Sequence, residues 1–485
     1  MMVVNPYNFV RLRKMDEDAR QTPVFHSEPS REGLFSGRLE CHLYPLTPIF
    51  IPQVSTGLLI PLPDINRNGE VTPRKLKAFL NFYFTEDAEK PIIPASSLKG
   101  TIRSVAEAVS NSCLSQVADG YQTTKSFKKK GGINREFRTL LNASLIKTKP
   151  IKSYKDVQNL LASYVEKLGL QPCSQVERKV DVANSGLCPA CRIFGMPGVD
   201  EGNPRPGARP NAFTGKVRFS DARMVNQLEQ YEQPVLLTEL STPDATSYLY
   251  YDVIEENGNP KLMLRGRKFY YHQRGLNLDN ENQGTALAYW KAYDHDSHWK
   301  PERQVPNDDG LHRKVLVRPL KPVRFPITDE TGCFAFTVDF HNLTSDEFGL
   351  LLYSLSLEVK RKRASNGGWV IDDASVIHKI GYGKPAGLGS AAIVIQSIEL
   401  LDPQSRYTQE VNGYQQYSKN DVMKQITSKY VEKISQTGNM RDLWYLMNWS
   451  SRALAIRYPR MNEFGYILQN GKEGYRLPKP GKEPR

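Results

Sequence analysis

The stretch that decides the fold is Gly381–Ser390, with the sequence GYGKPAGLGS, which runs directly into the apolar segment Ala391–Leu400. Four glycines around Lys384 allow the backbone to approach a phosphate closely and to turn its N–H groups toward it. A dinucleotide fingerprint or a Walker loop needs the order strand, glycines, helix, whereas here the glycines precede a strand-like run. The pattern therefore disfavours a mononucleotide site and favours a loop that holds a nucleic-acid backbone. A plain glycine-rich hairpin turn is the alternative.

The charge of the chain indicates the same kind of partner. The 65 Lys and Arg residues exceed the 52 Asp and Glu residues, for a net charge of +13, which suggests a polyanion. From Lys125 to Lys155 ten residues are basic and only Glu136 is acidic. The candidate contact residues of this stretch are Lys128, Lys129 and Lys130. A solvated, mobile loop is the alternative reading of such a run.

Length and composition exclude several classes of protein. A chain of 485 residues is long enough for two or three domains. No run approaches the ~18 consecutive apolar residues of a membrane span, and the N-terminus lacks the pattern of a secretory signal. Six cysteines are too few for a disulfide scaffold. The sequence therefore predicts a cytoplasmic protein without a membrane partner.

The first half of the chain predicts a strand and then a helix. Phe35–Ile51 has the apolar pattern of a strand, and the turn-rich segment Pro52–Lys90 is expected to be a loop. Ser96 or Ser97 can cap a helix whose apolar face carries Leu98, Ile102, Val105 and Val109.

Two cations lie near the start of this helix. Lys99 and Arg103, four residues apart, share a second face close to the positive helix end. Anions are preferred at that end of a free helix, so the arrangement is favourable if the end faces phosphate. An ordinary amphipathic helix with a solvated basic stripe is the alternative.

The second half of the chain predicts strand, helix, glycine loop and strand. Cys333–Asn342 alternates phenylalanine and valine on one face, and Thr344 is expected to cap a helix over Ser345–Glu358. Together with the first half this indicates an α+β fold compatible with a ferredoxin-like sheet. A further helical stretch is expected over Val422–Ile434, followed by a basic end that has the composition of a disordered segment.

The cysteines indicate a structural zinc site. Cys188 and Cys191 form a CxxC motif, and Cys173 lies fifteen residues upstream. Tetrahedral zinc sites often take two ligands from such a tight turn. By residue type Cys113 is the best fourth ligand, with His26 or another histidine as alternatives. Buried thiols without metal are the competing interpretation.

Several segments together resemble the RAMP superfamily of CRISPR proteins. In chain order they are Pro91–Arg103, Cys188–Gly195, Val217–Ala222, Phe340–Leu357 and Gly381–Ser390. The nearest resemblance is to the backbone subunits of type III effector complexes, particularly the III-D branch, in which one such domain carries a large insertion. It covers the chain from about Phe35 to Leu400.

The resemblance implies a modified RNA-recognition-like fold with a zinc knuckle. Such a subunit wraps a guide CRISPR RNA, stacks with other RAMP-type subunits and positions single-stranded target RNA. In the family the serine–lysine segment and the glycine loop contact the guide backbone. The corresponding residues here are Ser96, Ser97, Lys99, Arg103, Gly383, Lys384, Gly387 and Gly389.

The resemblance also implies a candidate catalytic residue. Some members cut the target through an aspartate in the loop between the first strand and the first helix, and Asp64 is the acid in that loop here. RNA supplies its own nucleophile, the 2′-hydroxyl, so a carboxylate that acts as base or holds Mg²⁺ is sufficient. The loop is longer than usual and lacks the family's glycine–histidine pattern, and a turn-forming role for Asp64 is the alternative.

The predicted organisation has five parts: an N-terminal extension (1–34), a first part of the core (35–222), an insertion (223–313), a second part of the core (314–402) and a helical, basic tail (403–485). Two other functions remain open. One is a free-standing endoribonuclease that processes repeat RNA, with His26 or His42 as general base. The other is a non-catalytic, zinc-containing RNA-binding protein.

Overall fold

The structure is a computed structural model in which the residues described are 3–29, 32–54, 57–65, 71–79, 81–84, 90–115, 163–173, 186–196, 212–226, 231–232, 234–237, 251–256, 259–273, 288–289, 315–365, 367–402, 414–416, 419–449 and 455–456. The α-helices whose bounds lie within these ranges are α1 (Ala95–Val109), α2 (Pro189–Phe194), α3 (Ser345–Ser356), α4 (Lys419–Val422), α5 (Ser428–Ile434) and α6 (Gly438–Met447). Residues 163–167 are also helical. A 3-10 turn covers Lys384–Ala386, and a π-helical turn covers Met423–Thr427. None of these helices has the length and hydrophobicity that crossing a bilayer requires.

The strands of the described ranges are numbered in chain order. They are β1 (Val3–Val4), β2 (Tyr7–Val10), β3 (Leu34–Pro45), β4 (Leu58–Ile65), β5 (Val71–Phe79), β6 (Ile92–Ile93), β7 (Gly195–Met196), β8 (Phe213–Thr214), β9 (Val217–Phe219), β10 (Ala222–Val225), β11 (Val235–Leu237), β12 (Tyr251–Glu256), β13 (Asn259–Leu264), β14 (Arg267–Tyr270), β15 (Ala288–Tyr289), β16 (Val315–Val317), β17 (Cys333–Thr344), β18 (Arg361–Arg363), β19 (Trp369–Ile371), β20 (His378–Lys379), β21 (Ser390–Leu401), β22 (Tyr414–Gln416) and β23 (Ala455–Ile456).

An antiparallel sheet forms the centre of the fold. Its strands have the order β20-β21-β3-β17-β10-β6, with β22 beside β21 and β9 beside β17. The longest pairings join β3 to β17 and to β21. The expectation of mixed α and β structure is confirmed.

Two helices cover one face of this sheet. Leu39, Cys41 and Leu43 of β3 lie opposite Val338, Phe336 and Phe334 of β17, and all six side chains are buried. The ring of Phe340 stacks on Phe348 of α3 at 4.8 Å between centroids. The apolar face of α1 is buried in the same core. Alternate residues of β3, including His42 and Tyr44, therefore point to the opposite face.

A buried ion cluster joins α2, α3 and the segment before β9. Glu347 in the first turn of α3 accepts from Arg192 Nε at 2.8 Å and from Lys216 Nζ at 2.5 Å. Its Oε2 also accepts from the backbone of Thr344, and Thr344 Oγ1 accepts from the Glu347 N–H. The expected Thr344 cap is thus present as a reciprocal capping box. The same carboxylate holds two buried cations.

Four expectations about secondary structure need correction. The segment Pro52–Lys90 contains the hairpin of β4 and β5 rather than a loop alone, since both strands extend a second, five-stranded sheet. The segment 223–313 contains β11 to β15 rather than irregular chain, and β10 crosses its predicted start. The tail beyond Ile434 contains α6, which buries Met440, Leu443 and Leu446. The first helix starts at Ala95, without a serine cap.

Candidate functional site

Four buried cysteines come together at the end of α1. The Sγ atoms of Cys113, Cys173, Cys188 and Cys191 all lie within 4.8 Å of one another. Cys113 Sγ is 3.6 Å from both Cys188 Sγ and Cys191 Sγ. Zn–S bonds of about 2.3 Å in a tetrahedron separate the sulfurs by about 3.8 Å. The cluster therefore has the ligand type, the number and the spacing of a structural zinc site.

The CxxC turn presents two of these thiols. Cys188 has an extended backbone and precedes Pro189, so that α2 starts between the two cysteines. The N–H of Ala190 donates to Ser112 Oγ at 3.0 Å, which ties the turn to the residue before Cys113. The N–H of Cys188 donates to Cys173 Sγ at 3.3 Å. His26, the alternative fourth ligand, lies outside the cluster and contacts the carbonyl oxygen of Thr214 at 3.0 Å.

Three arginines surround the cluster. Arg20 Nη1 donates to Cys173 Sγ at 3.1 Å, and Arg103 Nη2 lies 3.8 Å from Cys191 Sγ. Arg267 donates to the carbonyl oxygen of Cys113 at 3.3 Å. A divalent cation held by four thiolates has a net charge of −2, and buried charge requires compensation nearby. The surroundings of the cysteines therefore fit a metal–thiolate centre better than neutral thiols.

The electrostatics within the cluster favour a thiolate at Cys188. Burial raises the pKa of this thiol, but hydrogen bonds from the other three cysteines outweigh burial and hold its pKa well below the usual range. The thiolate is the form that binds metal.

Arg103, a sequence-predicted RNA contact, is turned toward this cluster. Its Nε donates to Glu107 at 2.9 Å and its Nη1 donates to the carbonyl oxygen of Gly195 at 2.9 Å. With Cys191 as third neighbour, its donors are directed into the protein. These contacts give Arg103 a structural role, and its contact with RNA phosphate stays a prediction.

The other residues of the serine–lysine segment lie near the start of α1, with Ser96 and Ser97 in its first turn and Lys99 at the beginning of the second. Asp221 lies in the chain between β9 and β10. Its carboxylate accepts a hydrogen bond from the N–H of Ala95 at 2.7 Å and so takes the place of a serine cap. Ser96 is exposed, and Ser97 and Lys99 are half-buried. Burial, with the charge of Arg103 as a second cause, lowers the pKa of Lys99. In the part of the chain that the structure describes, the Lys99 ammonium has no hydrogen-bonding or ionic partner.

The glycine loop is hydrogen-bonded to the chain that follows β3. Gly383 and Gly387 flank the 3-10 turn, and both have the left-handed backbone that side chains disfavour. A Cβ at Gly389 would overlap the carbonyl oxygen of Ile380. The N–H of Gly389 donates to Pro48 O at 2.8 Å. The positions of these glycines are therefore set by backbone conformation and close approach.

Lys384 is the cation of this loop. It is half-buried, and burial lowers its pKa. Like Lys99, its ammonium has no partner among the residues that the structure describes.

A buried lysine is hydrogen-bonded to the glycine loop. Lys379 Nζ donates to Gly387 O at 3.2 Å, to Tyr271 O at 3.0 Å and to Ser390 Oγ at 3.4 Å. Ser390 Oγ also lies 2.9 Å from His272 Nδ1. Sequence reasoning missed Lys379, because a single lysine before an apolar residue gives no signal of burial.

Lys379 makes the stability of the chain depend on pH. Burial, with the charge of Lys384 as a second cause, lowers the pKa of Lys379 from 10.5 to about 7. Between these values the unfolded chain binds more protons than the folded one, so the free energy of unfolding rises with pH, by at most about 1.4 kcal/mol per pH unit. The cost of burying the charge is complete below the folded pKa and falls above it.

Between about pH 7 and about pH 9, we expect the free energy of unfolding of the wild type to rise by roughly 2 kcal/mol relative to that of Lys379→Met. Urea titrations at each pH measure this difference. A difference that does not change with pH would contradict the lowered pKa.

The glycine loop and α1 are connected to different strands of the central sheet. The loop precedes β21 and α1 follows β6, and three strands lie between them in the sheet order. At about 4.8 Å per strand this separation is about 19 Å within the sheet. A groove that includes both would cross the width of the sheet.

Asp64 lies in β4 rather than in a loop. Its backbone pairs with Thr72, next to the Ile65–Val71 pair where the hairpin turns. The other end of the hairpin reaches the glycine loop, where the rings of Phe79 and Tyr382 meet at 6.5 Å. A catalytic role for Asp64 stays a prediction. Lys128, Lys129 and Lys130 fall outside the described residues.

Comparison with known proteins supplies a family match. The model of the RAMP superfamily matches residues 42–391, and no curated protein matches the sequence. Among solved structures the chain is similar to Csc2 from Thermofilum pendens, at 12% identity over 89% of this chain and 92% of that one, with a TM-score of 0.26. It is also similar to Csm3 from Methanopyrus kandleri, at 12% identity over 83% of this chain and 98% of that one, again with a TM-score of 0.26.

Proposed function

The chain belongs to the RAMP superfamily, and we propose that it is a guide-RNA-binding backbone subunit of a type III CRISPR ribonucleoprotein. In this role it holds the guide, stacks with other RAMP-type subunits and positions complementary target RNA. The proposal includes a structural zinc ion in the four-cysteine cluster and a location in the cytoplasm. We also infer a ferredoxin-like core from the strand order β21-β3-β17-β10, with α1 and α3 on one face.

The observation that carries the proposal is the state of two lysines. Lys99 and Lys384 are half-buried, burial lowers the pKa of both, and neither ammonium has a described partner. A desolvated cation is stabilised by an anion at hydrogen-bonding distance. Lys99 lies near the start of α1, and Lys384 lies in the 3-10 turn of the glycine loop. The neighbouring N–H groups of Ala95 and Gly389 already donate to acceptors within the protein, so the ammonium groups themselves would supply the contact with phosphate.

Binding through these lysines should be electrostatic and independent of sequence. We expect Lys384→Glu and Lys99→Ala each to weaken binding of single-stranded RNA about tenfold or more at low salt. The slope of log affinity against log salt should fall by about 0.7 for each phosphate that the variant no longer neutralises. Lys429→Ala, which removes an exposed charge from α5, is the matched control and should change neither quantity. Unchanged affinity and slope in both site variants would refute the two contacts.

RNA that copurifies with the protein tests the class of function directly. Short RNAs with one constant end and a variable remainder are expected for a guide-holding subunit. Magnesium-dependent cutting of guide-matched RNA by the assembled complex would add the endonuclease activity, and loss of one product in Asp64→Ala would assign that residue. Cutting of repeat RNA by the isolated chain without metal would favour the processing enzyme instead. Binding without either activity would leave a non-catalytic RNA-binding protein.

A further inference from the structure

A small basic hairpin includes none of the residues of the cysteine cluster or of the glycine loop. Strands β18 and β19 form a two-stranded sheet, with Arg363 opposite Trp369 and Arg361 opposite Ile371. A single antiparallel bridge joins Trp369 to Ile327. Four consecutive cations, Lys360 to Arg363, are exposed. Exposed cations on a short edge strand can prevent edge-to-edge pairing, and they can also bind an anionic partner.

Trp369 gives this hairpin a fixed aromatic face. Its backbone exchanges hydrogen bonds with Ile327 at 2.8 and 2.9 Å, and its ring meets that of Tyr44 edge-on at 5.4 Å. The guanidinium of Arg361 lies over the Trp369 ring, 5.4 Å from its centroid. Arg361, Arg363 and Trp369 lie on one side of the hairpin, because residues two apart and residues directly opposite share a face. The ring is half-buried and held in place before any partner arrives.

The hairpin lies at the same end of the central sheet as the glycine loop. Tyr44, on which Trp369 packs, pairs with Ala392, two residues after the end of the glycine loop at Ser390. Tyr44 points to the face of the sheet that α1 and α3 leave uncovered. The hairpin and the glycine loop therefore both lie where β3 ends and β21 begins.

The charges of the hairpin are only partly compensated. Lys362 forms an ion pair with Asp372, whereas Arg361 and Arg363 have no carboxylate partner among the described residues. Two arginines beside an immobilised tryptophan match single-stranded nucleic acid, in which phosphates alternate with bases that stack on aromatic rings and guanidinium planes.

We propose that Arg361, Arg363 and Trp369 form a second contact for single-stranded RNA, with phosphate bound by the arginines and a base stacked on the Arg361–Trp369 pair. This inference rests on the proposed function in one respect, which is that the bound polyanion is RNA. The RNA is either guide or target, since both present the same chemistry.

The test compares two double variants of the full chain that lose the same charge. Arg361→Ala/Arg363→Ala removes two cations from the hairpin, and Lys429→Ala/Lys433→Ala removes two exposed cations from α5 on the helix layer. By fluorescence anisotropy with labelled single-stranded RNA, the hairpin variant should bind about tenfold more weakly, with a salt slope lower by about 1.4. The α5 variant should bind like the wild type. Thermal melting should show both variants folded, because all four side chains are exposed.

Photocrosslinking locates the contact and names the strand. RNA carrying 4-thiouridine, placed in the guide or in the target in separate reactions, should form an adduct with the peptide that contains Trp369. An adduct from either strand supports the contact and identifies that strand. Wild-type affinity in the hairpin variant and no adduct from either strand would overturn it. If the hairpin contact fails in this way but Lys384→Glu still weakens RNA binding, the proposed function stands and only the hairpin contact is wrong. If neither the hairpin variant nor Lys384→Glu weakens binding, both the hairpin contact and the proposed function are contradicted.

Discussion

Cys191→Ser is expected to release zinc from the purified protein and to lower the free energy of unfolding by several kcal/mol. The four sulfurs lie within 4.8 Å of one another and are buried, so one hydroxyl in place of a thiolate leaves three ligands for a tetrahedral ion. In metal sites of this type the binding free energy contributes directly to folding. Loss of the metal would also leave Arg20 beside neutral thiols, whereas Arg267 would keep its ion pair with Glu107 at 3.3 Å.

Metal analysis and urea unfolding measure the two parts of this prediction. The wild type should contain about one equivalent of zinc, and the variant much less than half. Cys333→Ser is the matched control, since Cys333 is buried at the start of β17 and lies outside the cluster. It should keep the metal and lose only about 1 kcal/mol. A wild type with less than about half an equivalent would show that the cluster is four unmetallated thiols. A variant that keeps its zinc would show that Cys191 is not a required ligand.

The cysteine cluster shows what a sequence pattern can supply. The CxxC turn is local, and Cys173 lies close to it in sequence, so spacing alone indicated three ligands. Cys113 lies 60 residues before Cys173, and its residue type pointed to it as the fourth. The three arginines around the cluster were not predicted, because Arg20 and Arg267 come from distant parts of the chain and a lone arginine carries no mark of its partner.

The start of α1 shows where local reasoning failed. Serine at the start of an apolar repeat favours a cap, yet the helix begins at Ala95, whose N–H donates to Asp221, 126 residues later. The hydrogen bond from Arg103 to the carbonyl oxygen of Gly195, more than 90 residues away, was not predicted either. Tertiary partners of this kind override a helical pattern, and no spacing rule identifies them.

Other features had a sequence signal that composition concealed. Lys360–Arg363 is an obvious basic run, but it follows a helix directly and has fewer charges than the Lys125–Lys155 stretch. Helix α6 buries Met440, Leu443 and Leu446 at helical spacing, although the basic residues beyond it suggested disorder. By contrast, Thr344 with Glu347 is a complete capping box in four residues, and the expected helix follows it.

Glu347→Ala is expected to lower the free energy of unfolding by about 3–5 kcal/mol, because it leaves two buried cations without a counter-ion. The side chains of Arg192 and Lys216 are 7% and 0% exposed, and that of Glu347 is 1% exposed. The substitution also removes one half of the capping box at Thr344. Burial already lowers the pKa of Lys216 against the opposing effect of Glu347. In the variant this lysine should lose its proton more readily, so the destabilisation should decrease as pH rises.

The neighbouring acid provides the control for Glu347. Asp346 lies in the same helical turn and pairs with Lys433 at 2.7 Å, but both side chains are more than half exposed. Asp346→Ala should therefore cost less than about 1 kcal/mol. Because Arg192 follows Cys191 directly, Glu347→Ala should also speed the loss of zinc to a chelator, whereas Asp346→Ala should not. Equal destabilisation by the two substitutions would mean that the buried carboxylate does not hold α2, and with it the CxxC turn, against α3.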